Sequence, residues 1–174
     1  GVDIATCQRA VHALEAQGLV DFINISLGNY HSFAKMIGGM HEPVAYEMET
    51  SAPIAMKSTV PAIVTGRFRT LEEADQVIRA GEADLVGMTR ATIADPELVR
   101  KTREGRIEDV RPCIACNQRC VGGILGPAQR MGCAVNVATG FELSLSEKLI
   151  VKAEKPKRVV VVGGGPAGLE AARV

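Results

Sequence analysis

Four cysteines lie within a short stretch of the chain, where they could together bind a metal centre. Cys113, Cys116, Cys120 and Cys133 follow the spacing C-x2-C-x3-C-x12-C. Thiolates are soft ligands that suit zinc or an iron–sulfur cluster far better than calcium or magnesium. Three crowded thiols with a fourth farther on favour a 4Fe–4S cluster, because structural zinc usually takes separated pairs or a cysteine–histidine mixture. On spacing alone, zinc and disulfides remain open alternatives.

A glycine-rich turn near the end of the sequence has the pattern of a dinucleotide-binding site. Gly163, Gly165 and Gly168 form G-x-G-x-x-G after four valines, 159–162, and before residues that favour a helix. In such a strand–turn–helix unit the glycines permit a tight turn, close approach of a pyrophosphate, and packing of the helix on the strand. A plain glycine-rich turn is the alternative.

Glycine and arginine also follow two predicted strands. Gly66 and Arg67 come after one strand, and Gly87, Thr89 and Arg90 come after the next. In a (β/α)8 barrel the loops after the last strands often form a phosphate site, where backbone N–H groups and an arginine suit a flavin phosphate. The alternative is that both arginines lie on the surface.

His31 is the candidate catalytic residue. It lies in the segment 28–31, GNYH, directly after a predicted strand that ends at Ser26. Loops after barrel strands carry catalytic residues, so His31 is placed to donate a proton or to hydrogen-bond a substrate. A solvated, inert histidine is the alternative.

The elements that must position these residues have the order α-β-α-β-α-β-α over residues 1–105. Short apolar strands separated by helices predict a parallel sheet buried on both faces, in a (β/α)8 barrel or an open doubly wound sheet. Thr70 and Glu73 form a capping box that opens one helix, and Asp95 is expected to cap another. Cys7 belongs to the apolar stripe of the first helix and is expected to be buried. The strands are expected at 20–26, 61–65 and 83–87, and the other helices at about 4–17 and 46–58.

The rest of the chain divides by composition. Residues 106–140 are rich in glycine and cysteine with little periodicity, which predicts a region organised by its metal. Residues 141–157 are expected to form a linker, and a new domain is expected to begin at residue 158. Both termini look cut, so the chain is expected to be an internal segment of a longer polypeptide.

Charge and hydropathy exclude several classes of partner. The 174 residues carry no formal net charge, so no global field favours nucleic acid. No apolar run approaches the roughly 20 residues of a membrane span. Five cysteines fit a metal set plus one core thiol in a reducing compartment, and we expect a cytoplasmic protein.

Four segments taken in order closely resemble the iron–sulfur flavoenzymes of the old yellow enzyme family, which includes 2,4-dienoyl-CoA reductase and trimethylamine dehydrogenase. They are PAIVTGR at 61–67, GMTRATIADP at 87–96, RPCIACNQ at 111–118 and VGGGPAG at 162–168. The ordered combination is far more specific than any one motif, and the resemblance covers essentially the whole chain.

The resemblance implies an α/β fold in three parts: the last strands of an FMN-binding (β/α)8 TIM barrel, a 4Fe–4S segment, and the start of a Rossmann-like FAD/NAD(P)-binding domain. It assigns the FMN phosphate to the two glycine–arginine strand ends and the cluster to the four cysteines. Pro166 and Ala167 join the three glycines in the pyrophosphate turn. His31 resembles the histidine that assists protonation in dienoyl-CoA reductase.

The implied activity is electron transfer from NAD(P)H through FAD, the cluster and FMN to an activated C=C bond of a small-molecule substrate. Amine dehydrogenases of the same family run in the oxidative direction and pass electrons to an external carrier. A zinc-stabilised, non-catalytic nucleotide-binding module is the alternative from another class. The resemblance is also compatible with assembly into a homo-oligomer. Residues 1–174 alone are expected to show no turnover.

Overall fold

The computed structural model describes residues 2–127 and 129–174 and contains a parallel sheet of three strands. These are β1 (Ile23–Ile25), β2 (Ala62–Val64) and β3 (Leu85–Val86), in the order β1-β2-β3. The three predicted strands are confirmed, each with a shorter hydrogen-bonded part. Consecutive strands are neighbours in the sheet, because each helical connection returns the chain in the same direction.

Helices occupy the connections between the strands and much of the chain after them. The predicted helices that begin near residues 4, 48, 71, 98 and 166 are confirmed, whereas four short helices, of four to six residues each, were not predicted. A helix of four to six residues shows too little periodicity to stand out in a sequence. The helices are α1 (Ile4–Ala16), α2 (Phe33–Met36), α3 (Met48–Ala55), α4 (Leu71–Arg79), α5 (Thr89–Ala94), α6 (Leu98–Arg103), α7 (Val121–Leu125), α8 (Glu142–Leu145) and α9 (Pro166–Arg173).

The capping box of α4 is confirmed. The Glu73 N–H donates to Thr70 Oγ1 at 3.2 Å, and the Thr70 N–H donates to the Glu73 carboxylate at 3.2 Å. The Arg69 N–H donates to the same carboxylate at 2.7 Å. This exchange satisfies backbone donors that a helix N-terminus otherwise leaves unpaired, and it fixes where the chain turns after β2.

The prediction that Asp95 caps the N-terminus of a helix is wrong. Asp95 instead ends α5, and α6 begins three residues later. Its carboxylate, 2% exposed, accepts hydrogen bonds from the Glu97 N–H (2.9 Å), the Arg111 N–H (2.9 Å) and Lys101 Nζ (2.6 Å). A buried carboxylate requires such partners because water cannot reach it. Asp95 therefore ties the end of α5 to the start of the cysteine segment.

The core lies between α3, α4 and the sheet. Its central strand is β2, in which Ala62 and Val64 are fully buried, whereas Leu85 on β3 is 50% exposed. The expected burial of all three strands on both faces therefore holds best for β2, which alone has a neighbour on each side among the described residues. The main buried cluster comprises Met48, Ala52, Ala55, Ala62, Val64, Phe68, Val77 and Ala83.

The prediction of a buried Cys7 is wrong. No residue of α1 is buried, and Cys7 is half-buried in an open groove beside β1. The helix packs on one side only, where Gln8 Nε2 donates to the Pro53 carbonyl at 2.7 Å. An apolar stripe shows which face of a helix is favourable to bury, but whether that face is covered depends on the neighbouring elements.

The predicted strand at 159–162 is also not formed. These four valines are exposed, and among the described residues no strand pairs with them. A strand exists only through hydrogen bonds to a neighbour, so its residues alone do not make one. The predicted linker at 141–157 includes α8 and a 3-10 turn, Glu147–Leu149. Within residues 2–127 and 129–174, no helix has the length and apolar character to cross a membrane.

Candidate functional site

The two glycine–arginine strand ends meet at one cavity of about 340 Å³, here called the strand-end cavity. It opens at the carboxyl ends of β2 and β3, where parallel strands bring their following loops to one edge. The structure thus brings together all the residues that the sequence proposed for a flavin phosphate. They are Gly66, Arg67, Gly87, Thr89 and Arg90.

Arg67 has two unusual features in this cavity. Its φ is 62°, a left-handed conformation that costs a residue with a side chain on the order of 1–3 kcal/mol. Its Nε is buried and has no hydrogen-bond partner among the described residues. A buried donor without a partner costs about 1–3 kcal/mol, so the site favours an acceptor such as a phosphate oxygen.

Gly87 is required by the close approach of two strands. A Cβ at this position would lie 2.9 Å from Thr65 Cγ2. The Gly87 N–H donates to the Val64 carbonyl at 2.8 Å and extends the pairing of β2 and β3 to the cavity edge. A side chain here would push the two loops apart.

Arg90 lines the strand-end cavity, but its guanidinium is already engaged by protein groups. Its Nη1 donates to the Gly38 carbonyl at 2.7 Å and to Asn117 Oδ1 at 2.6 Å. These contacts join the end of β3 to the loop after β1 and to the cysteine segment. No motif indicates this second role of Arg90.

Glu47 is a cavity residue that sequence reasoning missed, and the neighbouring Tyr46, outside the cavity lining, supports the same loop. Glu47 lines the cavity and is 4% exposed, and its Oε2 accepts hydrogen bonds from the Leu27 N–H (3.0 Å) and Thr65 Oγ1 (3.1 Å). The Tyr46 hydroxyl accepts from the Gly38 N–H at 3.0 Å and donates to the Lys35 carbonyl at 2.6 Å. Burial raises the pKa of Tyr46 to about 12. Both side chains fix the loop after β1 against the cavity.

The four cysteines line a second cavity, here called the cysteine cavity, which adjoins the first. All four are half-buried free thiols. Cys113, Cys120, Arg90 and Ile93 line both cavities. Among the described residues, however, no three His, Cys, Asp or Glu side chains lie close enough to hold a single metal ion.

The backbone around the cysteines has local features typical of a ligand-binding loop. Ala115 and Asn117 have φ values of 54° and 57°, so the chain turns sharply on either side of Cys116. The Ala115 N–H donates to Cys113 Sγ at 3.4 Å. This contact orients the Cys113 side chain relative to the loop.

The glycine turn before α9 has part of the predicted geometry. Gly163 has φ +111°, and a Cβ on Gly168 would lie 2.0 Å from the Gly163 carbonyl oxygen. A Cβ on Gly165 would meet nothing within 4 Å, so that side of the turn is open. Pro166 and Ala167 are the first two residues of α9. The turn and helix of the predicted unit are therefore present, without its strand.

His31 lies apart from both cavities. It is exposed in a 3-10 turn, Tyr30–Ser32, whose N-cap Asn29 accepts hydrogen bonds from the His31 N–H (2.8 Å) and the Ser32 N–H (3.1 Å). The turn follows β1 and so lies at the same end of the sheet as the strand-end cavity. The catalytic assignment of His31 stays a prediction.

Comparison with known proteins gives relatives among flavin-linked oxidoreductases. The chain is 38% identical over 159 residues to the NADH oxidase of Thermoanaerobacter brockii, covering 91% of this chain and 24% of that protein. It is 34% identical over 174 residues to the cinnamate reductase of Clostridium sporogenes, covering 100% and 25%. The chain therefore spans about a quarter of the length of these relatives.

A solved structure and a family model point the same way. The fold matches histamine dehydrogenase from Rhizobium sp. 4-9 with a TM-score of 0.85 at 30% identity, covering 97% of this chain and 24% of that one. Residues 3–109 match the model of the NADH:flavin oxidoreductase / NADH oxidase family. These residues include both strand ends of the cavity, and the chain belongs to that family.

Proposed function

We propose that this chain is part of an oxidoreductase that passes electrons between NAD(P)H, FAD, a 4Fe–4S cluster and FMN to reduce an activated C=C bond. The observation that carries the proposal is the pair of adjoining cavities. One is lined by glycine–arginine strand ends and the other by four cysteines, and they share a wall. Redox groups bound in these two cavities would be neighbours, because the cavities have lining residues in common.

The strand-end cavity suits the phosphate end of FMN. Arg67 offers a buried donor that has no hydrogen-bond partner in the described part of the chain, and Gly87 allows the two strand ends to approach. Guanidinium groups and glycine backbone donors are suited to phosphate oxygens. Arg90 contributes its positive charge while its Nη1 holds Asn117.

The cysteine cavity suits a cluster better than a single zinc ion. Four thiolates on one zinc ion each lie about 2.3 Å from it and so crowd together. In a 4Fe–4S cluster each cysteine binds a different iron, so the sulfurs stand farther apart. The four cysteines that line one cavity supply the four thiolates that such a cluster needs.

FMN, when bound, supplies two-electron and one-electron chemistry, and the cluster supplies one-electron transfer. The residues of this chain position the cofactor sites and supply a proton to the substrate. Glu47 and Tyr46 hold the loop after β1 in place, and the Ala115 N–H orients the Cys113 side chain. Reduction of a C=C bond consumes a hydride at one carbon and a proton at the other. We assign that proton to a ring N–H of His31, which lies outside both cavities in the exposed turn after β1, at the same end of the sheet as the strand-end cavity.

The flanking regions have proposed roles as well. The sequential, parallel order β1-β2-β3 agrees with residues 1–105 being the last strands of a (β/α)8 barrel. The turn at 163–168 agrees with the start of an FAD/NAD(P)-binding domain. Gly163 has a positive φ, and a Cβ on Gly168 would collide with the Gly163 carbonyl oxygen, so both positions favour glycine.

A second candidate is an amine dehydrogenase of the same family, in which electrons leave the substrate and pass to an external carrier. The fold match to histamine dehydrogenase favours it. The same two cavities serve both directions, because electron transfer between them is reversible.

The test uses the full-length polypeptide, purified without oxygen. Iron, sulfide, zinc, FMN and FAD are quantified, and the visible spectrum is recorded before and after NADH or NADPH. We expect one FMN, one FAD and one four-iron cluster per chain. NADH or NADPH should reduce the flavin, and cinnamate should reoxidise the reduced flavin, whereas histamine should not reduce the oxidised flavin. The reverse preference would select the amine dehydrogenase.

Matched cysteine variants sharpen the test. Cys113→Ser is expected to lose iron, whereas Cys7→Ser, in the groove beside β1, is expected to retain it. Stoichiometric zinc without flavin in the wild type would refute the proposal.

A further inference from the structure

Helix α5 is the common wall of the two cavities. Arg90 and Ile93, one near each end of this helix, line both the strand-end cavity and the cysteine cavity. Ala91 and Ala94 face the interior and are buried, so the helix is anchored on the core side. Groups that bind to α5 from the cysteine segment therefore bind to the boundary between the two proposed cofactor sites.

Asn117 holds the first part of the cysteine segment to α5. It follows Cys116 directly, and its Oδ1 accepts a hydrogen bond from Arg90 Nη1 at 2.6 Å. Its Nδ2 donates to the Ile37 carbonyl at 2.9 Å, in the loop after β1. The φ of 57° places the side chain in reach of both partners at a cost in backbone energy. Both ends of this amide are therefore used to join three segments.

Asn136 holds the second part. It lies three residues after Cys133 and is 6% exposed, and its Nδ2 donates to the Ile93 carbonyl at 2.9 Å. Thr139 Oγ1 donates to the same carbonyl at 3.3 Å. The Ile93 carbonyl lies in the last turn of α5, where carbonyls lack partners within the helix. The Asn136 Oδ1 accepts from the Ala138 N–H at 3.2 Å, which fixes the side chain.

We infer that Asn117 and Asn136 are positioning residues that hold the two parts of the cysteine segment at opposite ends of α5. They thereby set the separation of the cluster from the flavin and the rate of electron transfer between them. The asparagines themselves would take no part in the redox chemistry and would act only by fixing the positions of the groups that hold the two cofactors. The inference rests on the proposed function, since it requires both cofactors.

The test uses full-length holoenzyme in four variants. Asn117→Gly removes both side-chain contacts while tolerating the left-handed backbone. Asn117→Asp keeps the acceptor for Arg90 and loses the donor to Ile37. Asn136→Ala removes the contact to Ile93. Gln118→Ala is the matched control, because Gln118 is exposed and makes no side-chain hydrogen bond among the described residues.

Two quantities are measured in each variant. The first is the rate of iron release to a chelator, and the second is the rate of cluster reduction after the flavin is reduced, in samples with full iron content. For Asn117→Gly and Asn136→Ala we expect iron release to become about 10-fold faster or more, and cluster reduction to become about 10-fold slower or more. Effects of this size are typical when groups that orient metal ligands are removed. Asn117→Asp is expected to fall between Asn117→Gly and the wild type, and Gln118→Ala is expected to match the wild type.

The outcomes separate the inference from the proposed function. A wild type with both cofactors, and Asn117 and Asn136 variants that match Gln118→Ala in electron transfer, would overturn the inference and leave the proposed function standing. Faster iron release with unchanged electron transfer would also overturn it, since the asparagines would then only stabilise the loop. A wild type without a cluster would overturn both.

Discussion

Arg67 offers the sharpest test of the flavin phosphate assignment, through the change Arg67→Met. Its buried Nε has no partner among the described residues, so a phosphate would supply the missing acceptor. A hydrogen bond to a charged group contributes about 1.5–3 kcal/mol. Since about 1.4 kcal/mol is a factor of ten in affinity, FMN should bind roughly 10- to 150-fold more weakly.

The assay is a fluorescence titration of FMN, and separately of riboflavin, into flavin-free full-length protein. Riboflavin has the same ring system without the phosphate, so its affinity should be unaffected by Arg67→Met. Arg67→Lys should give an intermediate loss for FMN, because it retains charge but not the planar guanidinium. The left-handed backbone at position 67 is the same in the wild type and in both variants. Its energetic cost therefore largely cancels when their FMN affinities are compared.

Arg79→Met is the control, since Arg79 is largely exposed on α4 and pairs with Asp75. An equal loss of riboflavin and FMN in Arg67→Met would show that the change deforms the cavity. Unchanged FMN affinity would remove Arg67 from the phosphate site. Either result would refute the reasoning.

Three further predictions concern other parts of the chain. Burial alone would raise the pKa of Asp95, but hydrogen bonds from Lys101 and two backbone N–H groups outweigh it and lower the pKa. Asp95 therefore stabilises the fold above its ordinary pKa of about 3.9, and the gap in unfolding free energy between wild type and Asp95→Asn, measured by urea denaturation, should narrow as pH falls below about 4. A gap independent of pH would show that the Asp95 charge contributes nothing. Gly168→Ala should lower FAD content in full-length protein while FMN and iron remain, because its Cβ would lie 2.0 Å from the Gly163 oxygen; retained FAD would contradict this. His31→Gln should leave cofactor content unchanged and slow enoate reduction, and an unchanged turnover number would end its catalytic assignment.

Local chemistry explains what could be predicted about the fold. The capping box at Thr70 and Glu73 depends on residues three apart, and its geometry is as expected. The strands near 23–25, 62–64 and 85–86 are short apolar runs between helical patterns, and they pair in parallel. The four valines at 159–162 failed as a strand because their pattern cannot supply a neighbour.

At the candidate site, too, features set by local sequence could be predicted, whereas contacts between distant residues could not. The strand-end glycines and Arg67 were predictable, because a turn after a parallel strand always reaches the same edge of the sheet. Glu47 could not be predicted, because its partners Leu27 and Thr65 lie 20 and 18 residues away and share no spacing rule. The altered role of Asp95 has the same origin, since its partner Arg111 lies 16 residues on.

The sequence by itself determined which chemistry is available: four thiols at close spacing, glycines where a side chain has no room, and arginine at a strand end. These are properties of residue type and local backbone, so they can be inferred without knowledge of the fold. Only the tertiary structure decided that both cavities share α5, and that Arg90 binds Asn117 while Asn136 binds Ile93. Those contacts join residues 27 and 43 positions apart, and the packing of helices and loops around the sheet brings them together.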